Sequence, residues 1–287
     1  MLDFRYHVTS LAAVFFALVI GIVVGVGISG RGFVDKSERQ KLENRIDRLQ
    51  ARVDDLSAAN AALRDQQQAG RVFMSDAYPV VMRDRLDGIL IAVIVVGASA
   101  GAAGADVQQT LSDGGATTSR YRALKLPINA RAVRRAVAAV RGRQKLEDAA
   151  RELAQEWVTG TDTPVAEVLT DVVVEEERGV GGTPADGVVV IQAERPRGAA
   201  TRRFVDGLYS GLTSVGVPVV GVERSGAEQS SIDSFAEYAG FSTVDDVDTP
   251  SGRFALALLL GGAPSGHFGI KPTADAPLPK IDEPASG

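Results

Sequence analysis

The chain has 287 residues, 45% hydrophobic and 23% charged, which excludes a collagen-like or wholly disordered polymer. A net charge of −5 argues against a chain that as a whole binds nucleic acid, and no such partner is expected. The lack of cysteine removes disulfides, iron–sulfur clusters, thiolate metal sites and cysteine nucleophiles.

After an N-terminal tail (1–7), no residue from Val8 to Gly30 is charged. At about 1.5 Å per residue, this 8–30 run is long enough to cross a hydrocarbon core about 30 Å thick. Only a helix crosses alone, because every backbone polar group must be satisfied within the segment. The alternative is a cleaved signal peptide, but its apolar part is usually shorter and no A-x-A site follows. A single-pass anchor in membrane lipid is therefore expected. Gly21 and Gly25 form a GxxxG pair that suits close helix packing, although glycine is also common in membrane helices generally. Only Arg5 precedes the run, whereas Arg31, Lys36, Arg39, Lys41 and Arg45 follow it. By that count the C-terminal bulk faces the cytoplasm.

Residues 33–70 contain no proline, and their only glycine is Gly70 at the boundary. Leu42, Ile46, Leu49, Val53, Leu56, Asn60 and Leu63 alternate spacings of four and three, a heptad seam. Leucine at d with β-branched residues at a favours two parallel strands, and one asparagine at a fixes register. A coiled-coil stalk over 33–70, paired as a parallel homodimer, is expected. The alternative is a long amphipathic helix packed on its own domain, which usually shows a wider apolar stripe.

Ala69-Gly70 and Tyr78-Pro79 interrupt the helical pattern before a domain over 78–270. Gly88 to Gly97, Gly187 to Glu194 and Val217 to Glu223 read as buried strands of a parallel sheet. Helical patterns lie over Asp106–Leu111, Ala130–Arg141, Lys145–Val158, Thr201–Val215 and Ser231–Ala239, while Phe254–Leu260 fits either state. Alternating strand and helix predicts an α/β domain with a mainly parallel sheet in three layers. The proline-rich tail, 271–287, is expected to be disordered.

Two segments invite chemistry. Gly97, Gly101 and Gly104 surround a strand-to-helix turn, where doubly wound folds bind phosphate, but the spacing matches neither GxGxxG nor a P-loop. The other reading is a tight turn of small residues. Asp245, Asp246 and Asp248 suit a hard cation, the basic groups of a partner or, in preference, an exposed acidic loop whose Asp or Ser residues cap the next helix. Scattered Met1, Met74 and Met82, with His7 and His267 far apart, make a copper site within one chain unexpected. Ser99, Ser225 and Ser265 have no evident His–acid pair nearby. No catalytic residue, metal ligand or cofactor is expected, and the chain does not read as an enzyme.

The opening FRYHVTSLAAVFFALVIGIVVG, the segment STVDDVDTPSGRFALALLL and the later GHFG resemble the actinobacterial MctB family, described as copper transport outer membrane proteins. Thr243, Asp245, Asp246, Asp248, Gly252 and His267 match that family's patterned positions, with no role attached to them. The resemblance implies an envelope protein with a role in copper efflux or homeostasis. It also implies an alternative, since related SteB proteins of corynebacteria act with a partner, SteA, in cell separation and control of a peptidoglycan hydrolase. A nucleotide-sensing domain using the glycine turn is a third reading. The outer location implied by the resemblance opposes the side suggested by the Lys/Arg count. One membrane helix per chain makes no pore, and the strands lack the alternation of a barrel. Any copper role is thus expected to be indirect.

Overall fold

The computed structural model describes residues 4–28, 34–161, 164–179 and 182–280. It divides into two compact units, Met1–Gly70 and Arg71–Gly287. Ser29, Gly30, the first stalk residue and residues 281–287, on which parts of the anchor, stalk and tail expectations fall, lie outside the described residues.

In the first unit, helix α1 (Phe4–Ile28) contains a span, His7–Gly27, long and apolar enough to cross a membrane, with a mean hydropathy of 2.6. None of that span is buried against the rest of the chain. A Cβ built at Gly21 or Gly25 meets nothing within 4 Å, so both positions present an open surface. Helix α2 begins at Val34, and its heptad side chains face outward. Leu42, Ile46, Leu49, Val53, Leu56 and Leu63 are all more than half exposed. Asn60 turns its amide back to the Leu56 carbonyl at 3.2 Å.

The helical pattern continues past Gly70 and Pro79, as α2 runs unbroken from Val34 to Met82. Proline lacks an N–H and crowds the carbonyl four residues back, so Pro79 costs α2 a hydrogen bond three residues before the helix ends. The chain then leaves the helix through Asp84, whose φ is +56°. In the second unit the last turns of α2 are anchored. Tyr78 donates to Asp113 at 2.9 Å, and Met82 is fully buried.

Among the described residues, seven strands form one sheet, in the order β3-β2-β1-β4-β5-β6-β7. They are β1 (Leu90–Val96), β2 (Thr117–Leu124), β3 (Val174–Gly179), β4 (Gly187–Gln192), β5 (Val219–Val222), β6 (Phe241–Val244) and β7 (His267–Phe268). Every neighbouring pair is parallel except β2 and β3. The helices are α3 (Gly101–Asp113), α4 (Ala130–Arg141), α5 (Leu146–Thr159), α6 (Pro164–Val173), α7 (Ala199–Thr213), α8 (Ile232–Ala236) and α9 (Pro250–Leu260). The segment that fitted either state, Phe254–Leu260, is therefore helical.

Strands β1 and β4 read as unbroken Val and Ile because both of their faces are covered. Ile94, Val96, Val188 and Val190 enter one core with Leu153, Trp157 and Phe204. Ile91, Val93, Val95, Val189 and Ile191 enter the other with Leu111 and the apolar side of α9. Strands β2 and β3 look different because β3 is the edge strand and β2 pairs with it, and six of their fourteen residues carry charge. Arg122, on β2, is buried with its guanidinium 4.8 Å from the Trp157 ring centre. Burial, and then Arg120, lower its pKa to about 10, against the pull of Glu177. On α5, Glu156 accepts the Ala166 N–H at 2.6 Å and so caps the start of α6.

Residues 271–280 differ from the disordered tail expected there. Ala276 bridges to Phe268 and accepts from the Gly269 N–H, Asp275 donates its N–H to the His267 carbonyl, and Pro279 is buried. Prolines do not prevent order where the backbone has carbonyls to offer a sheet edge.

Candidate functional site

The sheet changes winding direction between β1 and β4, and in open α/β sheets ligands settle outside the carboxyl ends of strands at such a point. The glycine turn lies there, joining β1 to α3. Its residues do not act together. The Ala98 N–H donates to Glu194 Oε1 at 3.4 Å, and a Cβ on Gly97 would press on the Glu194 side chain at 3.1 Å. Gly101 and Gly104 instead line a half-open cavity of about 430 Å³ with Ser99, Tyr121 and Arg178. The Gly101 N–H reaches Ser99 Oγ at 3.3 Å. A carboxylate thus stands where a phosphate would need positive potential.

The second candidate is the rim formed by the ends of β5, β6 and β7. Here the acidic segment is not an exposed loop, because Asp245 and Asp246 are each only 1% exposed. Asp245 ends β6 and accepts the Ile270 N–H at 2.8 Å and the Lys271 N–H at 3.1 Å, clamping the turn after β7. Gly269 within that turn has a φ of +137°, and a Cβ there would collide with the Asp245 carboxylate. Asp246 Oδ2 accepts from the Thr249 hydroxyl at 2.7 Å and the Ser251 hydroxyl at 3.3 Å. Thr249 is the N-cap of α9 and accepts the Gly252 N–H at 3.0 Å. Gly252 has no alternative, since a Cβ would lie 2.1 Å from the Asp246 carbonyl oxygen. The capping expected of this segment is therefore present, with the acid supporting the cap rather than forming it.

Asp248 accepts both the N–H and the hydroxyl of Ser225, at 2.6 and 2.7 Å. Burial alone would raise its pKa, but these two bonds and Arg224 outweigh burial and hold it below the usual carboxylate range. Asp246 goes the other way. Burial raises it, and neighbouring Asp245 and Asp248 add to that against the bonds from Thr249 and Ser251. His267 pairs its Nδ1 with the Thr243 hydroxyl at 3.0 Å, and its backbone N–H donates to the Asp275 carboxylate at 2.9 Å.

Sequence reading missed the residues that bind this rim to the rest. Asp106 on α3 receives Arg224 Nε at 2.9 Å and Arg253 Nη2 at 2.8 Å. Glu223 accepts from Ser230, Ser231 and the Lys271 ammonium. These partners are distant in sequence, and no local motif signals them. The six patterned positions come together on one rim, but as a mutually bonded network. Among the described residues no group of three His, Cys, Asp or Glu side chains is placed to hold a metal.

These features define a class: an α/β domain of mostly parallel strands with a mutually bonded rim, in which buried Asp246 Oδ1 alone of its carboxylate oxygens is left without a partner among the described residues, preceded by an apolar helix long enough for a bilayer. A family model described as copper transport outer membrane protein, MctB, matches residues 1–279. The chain belongs to that family. A search of curated proteins gave no match.

Proposed function

We propose that the chain is a single-pass, self-paired envelope scaffold that serves copper homeostasis indirectly, through protein partners, with copper as cargo of the larger assembly. The observation that carries this reading is the exposed heptad seam of α2 beside one candidate span. Six large apolar side chains more than half open to water ask for a partner helix. A second copy supplies one in register, with Asn60 facing Asn60. The open Gly21–Gly25 surface on α1 supports the same pairing in lipid. The two cores on alternate strand residues support a three-layer arrangement of the domain.

The family's description supports the copper role. Indirectness is supported by there being one candidate span among the described residues, with only the hydroxyls of Thr9 and Ser10, too few to line a channel. The catalytic reading has no support in the rim, where Ser225 is bonded to Asp248. The nucleotide-sensing reading is weakened by Glu194 at the glycine turn.

Crosslinked recovery of the full-length chain from membranes tests the proposal. Capture of a second copy with components of copper export supports it. Capture of a SteA-like protein, with a deletion strain that resists copper normally but separates poorly, would replace it with the cell-separation reading.

A further inference from the structure

Between Asp113 and Glu147 there is no acidic residue, yet nine residues are Lys or Arg. Four of the nine have partners in the fold. Arg120 and Arg122 meet Glu177, Lys125 reaches the Asp171 carbonyl, and Arg141 meets Glu152. The other five, Arg131, Arg134, Arg135, Arg143 and Lys145, are exposed. None of these five forms an ion pair among the described residues. Exposed carboxylates on the packed neighbours, such as Glu167 and Asp171 on α6, stay beyond ion-pair distance of them.

The display is fixed by packing. Val133 and Val137 are buried, so α4 cannot roll, and Arg131, Arg134 and Arg135 share its outer face. Asn129 caps the helix by accepting the Ala132 N–H at 3.1 Å. The start of α7 lies alongside, since the Ile128 N–H donates to Thr201 at 3.2 Å, and it adds an exposed Arg202.

We propose that this face of α4 docks on the anionic phospholipid headgroups of a bilayer. The inference rests on the reading of α1 as a membrane anchor. The cations are spread along a convex helix, which suits a plane of charge better than one small anion. Helix α4 has no aromatic side chain on which a base would stack, which disfavours single-stranded nucleic acid. Exposed Ala138, Ala139 and Val140 at the end of the helix tolerate contact with the headgroup region. Each Lys or Arg near such a surface strengthens docking about fivefold.

The test uses the full-length chain in nanodiscs of phosphatidylcholine, with or without phosphatidylglycerol, and an arginine-selective dicarbonyl label read by mass spectrometry. Phosphatidylglycerol is expected to slow labelling of Arg131, Arg134 and Arg135 about fivefold or more. About 1 M salt should abolish that protection, because it shortens the screening length to about 3 Å. Arg178, 68% exposed on β3, serves as the unprotected control. The triple variant R131Q/R134Q/R135Q keeps good helix formers on an exposed face, and Arg143 is expected to regain reactivity in it. Equal labelling in both discs overturns the proposal, as does protection by soluble polyphosphate but not by phosphatidylglycerol. Persistent protection of Arg143 in the triple variant overturns it too. Co-elution with phosphatidylcholine discs reports the anchor separately, so loss of docking and loss of anchoring are distinguishable.

Discussion

In α2, Leu42, Leu49, Leu56 and Leu63 are 54–64% exposed, whereas in the α/β unit Asp245 and Asp246 are 1% exposed. Leucine in water and aspartate in a core both run against ordinary partition. The two cases resolve oppositely. Three of the four oxygens of the buried aspartates are met by the chain itself, through the N–H groups of Ile270 and Lys271 and the hydroxyls of Thr249 and Ser251, and only Asp246 Oδ1 is left without a partner among the described residues. The exposed leucines have no such answer within the chain. Polar residues inside mark a region that closes on itself, and apolar residues outside mark one that needs a second molecule.

The largest effect is expected where that contrast is sharpest. L49A/L56A should weaken self-association by about 4 kcal/mol or more, near a thousandfold in Kd, by sedimentation of the full-length chain in detergent. The thermal transition of the α/β unit should not move. If both fall together, the two units are not independent and the comparison breaks. Next, G252A should cost about 3 kcal/mol in denaturant unfolding, because the new methyl group collides with the Asp246 backbone. That variant should still self-associate.

A pH series sharpens the comparison further. Burial pushes the Glu156 carboxyl up to about 7, with Glu152 adding to the shift and the Ala166 N–H and Arg141 opposing it. The folded state therefore holds a proton that the unfolded chain releases near 4.5. Stability should fall as pH rises from about 4.5 to 7 and level off above, a loss on the order of 2 kcal/mol. E156Q, which keeps an acceptor for Ala166, should remove that slope. An unchanged slope would assign it to other groups. The smallest effect is expected for R253A, about 1 kcal/mol, because Arg224 still holds Asp106 and the pair is partly exposed.

Legibility in the sequence divided along the same line. Helix α4 falls on the expected Ala130–Arg141, and β1 and β4 lie within the expected apolar runs, because both read from local periodicity or two-sided burial. Strands β2 and β3 escaped because charged residues such as Arg120, Arg122 and Glu177 pair between edge strand β3 and its neighbour β2 and show no apolar run. Strand β6 escaped because Ser242 and Thr243 interrupt its apolar residues, whereas β5, equally short, reads Val-Val-Gly-Val. At the rim, Thr249 and Gly252 follow from capping chemistry, but Asp106 does not. Its partners are Arg224 and Arg253, and nothing near Asp106 announces them.

That bracket also sets an order of events during synthesis. Asp106 leaves the ribosome 147 positions ahead of Arg253. At about 5–20 residues per second, the carboxylate waits roughly 7–30 s for its last guanidinium. Nascent domains cut short of α9 should therefore remain open to chaperones and proteases, and the body should lock only when the chain is nearly complete.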